Sequence, residues 1–251
     1  MTFGLGKRRH SEAVMPANEM NAHLEQRLDD KIVRRRWSIE SAALAGIIYA
    51  VGASVAILFV IDFPSPDLPE AELQAWFADD WNRWRLLAGL NLGTIAAIAF
   101  LWFVGVLRNR IGDREDRFFG TVFYGSAIIH TALWVISLAA LAAIPAAVEL
   151  FDTTAWIDPG AVGSTGGTAA ALLFIVGPKI QALFVLSTST IFLRTSVAPR
   201  WLALVGYAFG LALFVVPLVA EPVGIGFPLW VFVASIAVLA TSRAPNAVAE
   251  G

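Results

Sequence analysis

The chain has 251 residues, 57% of them hydrophobic and 15% charged, with a formal net charge of −2 and a mean hydropathy of +0.68. Soluble domains run at about 45–50% apolar and about 25% charged, and a soluble core of this length has no use for so much further apolar surface. These values exclude a soluble globular enzyme, a disordered chain and, in the absence of a basic field, a nucleic-acid-binding domain; they point to a membrane.

Cysteine is absent, which removes disulfides, thiolate-held zinc or iron–sulfur clusters, covalent haem attachment and thiol catalysis. Arginine outnumbers lysine 15 to 3 and alanine is abundant, as in chains from GC-rich bacterial genomes. The first residues, MTFGLGKRRHSEAVMPANEM, are basic without an apolar stretch. No cleavable signal peptide is expected, and the first span serves as the targeting signal. From Met20 onward, Met20, Leu24, Leu28 and Ile32 recur every four residues, with Arg27, Lys31, Arg34, Arg35 and Arg36 on the other faces. Residues 1–36 thus read as a cytoplasmic segment whose amphipathic juxtamembrane helix lies on anionic lipids; a solvated helix has the same pattern.

Six stretches are long and apolar enough to cross about 30 Å of hydrocarbon as helices. They run over approximately 38–62, 84–107, 119–148, 168–193, 201–220 and 223–241, within a membrane domain of residues 37–242. Backbone groups in lipid must be satisfied internally, so the spans are helices; a β-barrel would show alternating segments instead. The expected fold is an all-α transmembrane helix bundle. The third stretch is longer than a crossing needs and is expected to tilt or project. Ala220, Glu221 and Pro222 form a tight hairpin between the last two, and residues 243–251 are a tail.

Orientation follows from the basic residues. Fifteen of the 18 fall in the N-terminal segment, the 108–117 loop (RNRIGDREDR), the 194–200 loop and the tail. The other side holds only Arg83 and Arg85 and is acidic, with Asp62, Asp67, Glu70, Glu72, Asp79, Asp80, Glu149, Asp152, Asp158 and Glu221. Positive-inside places both termini in the cytoplasm of a bacterium, with the chain in its plasma membrane. Trp37, Trp81, Trp84, Trp102 and Trp201 stand near interfaces, where amphipathic rings are favoured; Trp134 is expected inside the bundle. In the first outer loop, Leu73, Trp76 and Phe77 are spaced for a short helix on the outer leaflet. The second outer loop, 152–167, ends GAVGSTGGT and is expected to be flexible.

Lys179 is the most unusual residue. It lies about twelve residues from either end of the fourth stretch, roughly 18 Å from each surface. A charge there costs at least about 2.5–3.5 kcal/mol, so it should be neutral, bound to an anionic group, hydrated, or paired. Gly177 and Pro178 precede it, and proline frees a carbonyl one turn back that could serve a cation. His130 falls at a similar depth in the antiparallel third stretch, with Thr131 and Gln181 beside the two. Lys179, His130, Gln181 and Thr131 therefore form a candidate ligand or ion-pathway site, in which a histidine could relay protons. Each could equally be a satisfied structural residue. Ser187, Thr188, Ser189 and Thr190, and further out Asn91 and Thr94, read as interhelical hydrogen-bonding groups. Gly89 and Gly93, and Gly206 and Gly210, form small-xxx-small pairs that serve packing within the bundle or between copies.

No dinucleotide, P-loop, metalloprotease or hydrolase motif sits in a usable context, so neither a cofactor nor a metal is expected. One intramembrane histidine cannot ligate a haem from both sides, and no intramembrane carboxylate offers a retinal counter-ion. Two stretches, Leu90 to Ser126 (LNLGTIAAIAFLWFVGVLRNRIGDREDRFFGTVFYGS) and Ser187 to Gly210 (STSTIFLRTSVAPRWLALVGYAFG), resemble a group of uncharacterised multi-pass bacterial membrane proteins common in actinobacteria. The resemblance implies the span pattern and cytoplasmic loops, and carries no activity or site residue.

Three functional readings follow. The first is a non-enzymatic membrane component or accessory subunit, as a homo-oligomer or with a membrane partner. The second is a small transporter or channel for an anion or proton using Lys179 and His130. The third is a lipid-modifying enzyme, for which Asp79, Asp80 and Asp158 are the available outer carboxylates.

Overall fold

A computed structural model of the chain describes residue 41 and residues 43–111, 117–195, 198–215 and 223–243. The amphipathic segment 1–36, the centre of the 108–117 loop, the 220–222 hairpin and the tail beyond 243 lie outside the described residues.

Every regular element among the described residues is helical: α1 (Ala43–Val60), α2 (Glu70–Ala78), α3 (Asp80–Ile111), α4 (Arg117–Phe151), α5 (Pro159–Ala170), a π-helical stretch (Ala171–Val176), α6 (Gly177–Thr195), α7 (Arg200–Val215) and α8 (Val223–Arg243). Four helical stretches are long and apolar enough to cross a membrane: Ala43–Val60, Asp80–Arg108, Phe118–Phe151 and Pro159–Thr195. Where six crossings were expected, the fifth and sixth stretches form the shorter apolar helices Arg200–Val215 and Gly224–Ala240. The apolar parts give about 24–26 Å at 1.5 Å per residue, less than the roughly 30 Å of a hydrocarbon core, although α8 as a whole, with 21 residues, reaches about 31 Å.

Helices α1, α3, α4, α6 and α8 surround one aromatic centre, and α7 packs on the flank of α6. Glycine sets the closest approaches. A methyl group on Gly46 of α1 would lie 1.9 Å from Ser235 Oγ of α8, whereas Gly224, at the start of α8, faces Ile57 near the end of α1. The two helices are therefore antiparallel, and α1 begins at the end of the bundle where α8 finishes. Helices α6 and α7 pair antiparallel too: Gly210 lies against Leu186, and Gly206 against Ser189. Gly89 and Gly93 bring α3 onto Ala56 of α1. All four glycines of the small-xxx-small pairs thus serve contacts inside this chain.

At 35 residues α4 is about 52 Å long, and its C-terminal end packs with α2 and α5 into a small layer. The expected short helix is present as α2, whose Leu73 and Phe77 are fully buried. Gln74 Nε2 donates to Ile157 O at 3.3 Å, closing the layer over the 152–158 turn. The flexible 152–167 loop is corrected: Pro159–Ala170 is helical. Asp158 caps α5 by accepting from Ala161 N at 2.7 Å, and Pro159 stands at the first helical position, where its fixed φ and missing N–H suit the helix start. The glycines that suggested flexibility instead admit neighbours: a methyl on Gly166 would lie 2.9 Å from the Phe63 ring, and one on Gly163 3.4 Å from Pro66. Trp81, Trp84, Trp102 and Trp201 all face outward, more than half exposed, as rings seated at a membrane interface do.

Candidate functional site

Five helices each give one ring to the centre of the bundle. Tyr49 of α1, Phe100 of α3, His130 of α4, Phe184 of α6 and Phe227 of α8 pack with centroid separations from 4.6 to 6.3 Å, mostly tilted or edge to face. Such arrangements set the positive edge of one ring against the negative face of another. Within this knot the Tyr49 hydroxyl and His130 Nε2 are hydrogen-bonded at 3.1 Å, and neither residue is more than 3% exposed. His130 therefore has a neutral hydroxyl partner from α1. Its sequence neighbour Thr131 spends its hydroxyl on Ala127 O, one turn back, at 2.8 Å.

Lys179 has different surroundings. The π-helical stretch ends immediately before it, at the Gly177–Pro178 pair. Proline has no N–H to give and would clash with the carbonyl four residues earlier, and the wider π turn relieves that conflict. Gly177 N donates five residues back, to Leu172 O, and a methyl on Gly177 would lie 2.8 Å from that oxygen. The ammonium of Lys179 then donates to Phe214 O at 2.8 Å and to Leu213 O at 3.4 Å, both in the last turn of α7. Carbonyls of a neighbouring helix thus serve the lysine. Lys179 precedes Phe184 by five residues, which puts it about 7.5 Å further along α6 and roughly 140° away around it. Its side chain leaves α6 on a different face from the one that enters the His130 knot. Gln181 is half-buried on the same helix.

Above the knot is a cavity of about 280 Å³ between α1, α4, α5, the π stretch and the start of α8. Its walls include Ile57, Trp134, Leu138, Ala169, Phe174 and Gly224. The indole of Trp134 donates to Gly93 O at 3.0 Å, so the ring presents hydrocarbon to the hollow. Small residues of α5 and α8 make the space, and the half-exposed Ile61 stands at its rim. No family model, no curated protein and no solved structure matches the chain. Fold and site therefore rest on the geometry alone.

The outer carboxylates are engaged in the architecture. Asp79 Oδ1 accepts from Asn82 N at 3.0 Å at the start of α3, and Asp158 caps α5. Asp80 pairs with Arg83. Arg83 also binds Glu149 of α4 at 2.7 Å and donates to Phe77 O and Ala78 O, at 3.0 and 2.7 Å, in the last turn of α2. It joins α2, α3 and α4. Arg85 Nη1 meets Asp62 Oδ2 at 2.5 Å, tying α3 to the segment that leaves α1. Both basic residues of the acidic side are thus ion-paired. Sequence reasoning missed Tyr49, which reads as one more apolar residue of a span, and the joining role of Arg83, which entered only as an exception to a charge count.

Proposed function

We propose that this is a six-span protein of a bacterial plasma membrane, with both ends in the cytoplasm, and that it is a non-enzymatic component that holds the hydrocarbon tail of a membrane lipid. The cavity of about 280 Å³ carries this reading. Its walls are apolar and it opens beside the half-exposed Ile61, so the surrounding hydrocarbon can enter it. Apolar walls do not hold water, whereas a lipid chain matches them and is the surrounding solvent. Six crossings are supported by α8, which supplies Phe227 and Trp230 to the core, and by the antiparallel pairing of α1 and α8. The bacterial assignment rests on the stretches resembling actinobacterial multi-pass membrane proteins. The N-terminal basic segment would add contact with anionic lipids. A transporter or channel using Lys179 and His130 gains less support, because the two side chains leave for different partners. A lipid-modifying enzyme gains less as well, because its three carboxylates cap or brace helices.

The test is lipid retention. Protein purified in mild detergent and analysed by native mass spectrometry should carry one lipid per chain. Ala169, buried on the cavity wall, should lose that lipid on substitution by Phe while the protein stays folded. A wild type without bound lipid, or an Ala169→Phe variant that retains it in equal amount, would end the proposal.

A further inference from the structure

The cavity lies towards the end of the bundle that faces outward in the proposed topology. On α4 its wall runs from Trp134 to Leu141, about 10 Å, and Trp134 itself stands about 25 Å from the start of that helix at Arg117. At its other end the wall reaches Phe63 and Gly166, which meet in the outer layer. Among the residues that line it, Ile61 of α1 and Ala170 of α5 are exposed and the others are buried or partly buried. The mouth therefore opens sideways between α1 and α5. Gly167, three residues before Ala170 on the same face of α5, looks onto open space and keeps that side clear. A leaflet is about 15 Å thick, half of the hydrocarbon core, so a tail seated in the hollow leaves its headgroup at the outer surface beside this mouth.

What a headgroup meets there is carboxylate. The described residues 62–85 and 149–158 hold nine Asp and Glu against two Arg, and both arginines are ion-paired. Asp62 stands at the mouth itself, between the wall residues Ile61 and Phe63. Arg85 meets one of its oxygens, Oδ2, and the side chain nonetheless stays 66% exposed. Charges at a surface act on one another over about a Debye length, roughly 8–10 Å, so an anionic headgroup at this mouth is repelled and an ammonium is attracted. We propose that, given a lipid tail in the cavity as read above, the lipid comes from the outer leaflet and carries a zwitterionic headgroup whose ammonium sits on Asp62. The apolar walls accept any hydrocarbon chain of suitable width; Asp62 chooses among the headgroups attached to it.

The test offers the full chain, in mixed micelles, equal amounts of phosphatidylethanolamine and phosphatidylglycerol with the same dioleoyl tails, and reads the bound lipid by native mass spectrometry. Wild type should retain at least about threefold more of the zwitterionic lipid at roughly 0.05 M salt, and the preference should shrink near 1 M, where the Debye length is about 3 Å. Asp62→Asn, which removes the charge and leaves Arg85 without that carboxylate, should turn the preference towards phosphatidylglycerol, whereas Asp62→Glu should keep it. Equal retention, an excess of phosphatidylglycerol in wild type, or an Asp62→Asn ratio like that of wild type would overturn the proposal. So would a preference that survives in Ala169→Phe, which would place the lipid outside the cavity. Retention of neither lipid is a different failure, that of the tail site itself. Should Asp62→Asn fold poorly, the salt series on wild type decides.

Discussion

Tyr49 and His130 give the sharpest test of what the buried polar pair does. Replacing Tyr49 by Phe keeps the ring in the aromatic knot and removes one oxygen. His130 Nε2 then loses its 3.1 Å partner in a position no more than 3% exposed. A buried group stripped of its hydrogen bond costs about 1–3 kcal/mol. At about 2 kcal/mol, and about 2–4 °C per kcal/mol for a chain of this size, the melting temperature should fall by roughly 4–8 °C. His130→Leu orphans the Tyr49 hydroxyl instead and should fall by a similar amount. The double variant leaves nothing unsatisfied and should recover to within about 1 kcal/mol of wild type. Thermal unfolding in lipid nanodiscs, with all four proteins in the same lipid, measures the cycle. Additive losses, or a Tyr49→Phe protein as stable as wild type, would refute the view that the pair is a mutually satisfying structural unit. Additivity would instead free His130 for the proton-relay role.

Other outcomes follow from the same geometry. Arg83→Met should lower stability by about 1–2 kcal/mol, since its carboxylate partners are solvated but the Phe77 and Ala78 carbonyls are partly shielded; limited proteolysis should then cut the 152–158 turn faster, and an unchanged cleavage rate would count against a joining role. Asp158→Ala should cost about 1 kcal/mol as a lost N-cap, with Asp158→Asn close to neutral; equal losses would mean that charge rather than capping matters. Gly105 faces open space, so Gly105→Ala should gain up to about 0.8–1 kcal/mol of helix propensity, whereas Gly177→Ala meets Leu172 O and should destabilise; unfolding scans that give the two the same sign would contradict the π-turn geometry. A reporter fused to the C-terminus should signal from the cytoplasm, and a periplasmic signal would break the six-span topology.

Hydropathy alone located the four long apolar helices, because a lipid-facing backbone has no alternative to helix. It did not anticipate α5. Its run of glycine, serine and threonine lacks an apolar stripe, and the helix forms because Asp158 and Pro159 start it and Phe63 and Pro66 fit its glycines. The Asp–Pro pair was the readable signal. Lys179 was legible as an anomaly, but its contact with α7 was not, since it runs to main-chain oxygens some 35 residues away that no side-chain pattern records. The separation of Lys179 from the His130 face of α6 was hidden for a related reason. Depth along a helix can be counted from the sequence, but the face presented to each neighbour depends on packing partners. Tyr49 and His130 are 81 residues apart, and only the fold brings them together.

The π-helical stretch Ala171–Val176 carries an implication for how the chain tolerates change in length. Each π turn closes on the fifth residue instead of the fourth, so it absorbs a surplus residue without turning the helices on either side. Removing one residue from 171–176 should let the segment relax to ordinary α-helix while Gly166 still meets Phe63 and Phe184 still enters the aromatic knot. The same deletion a few residues later, inside α6, would swing one half of the helix by about 100° and carry Phe184 off its ring partners. The register of this long helix is thus elastic at one place and rigid elsewhere, and a single-residue deletion scan would map the boundary.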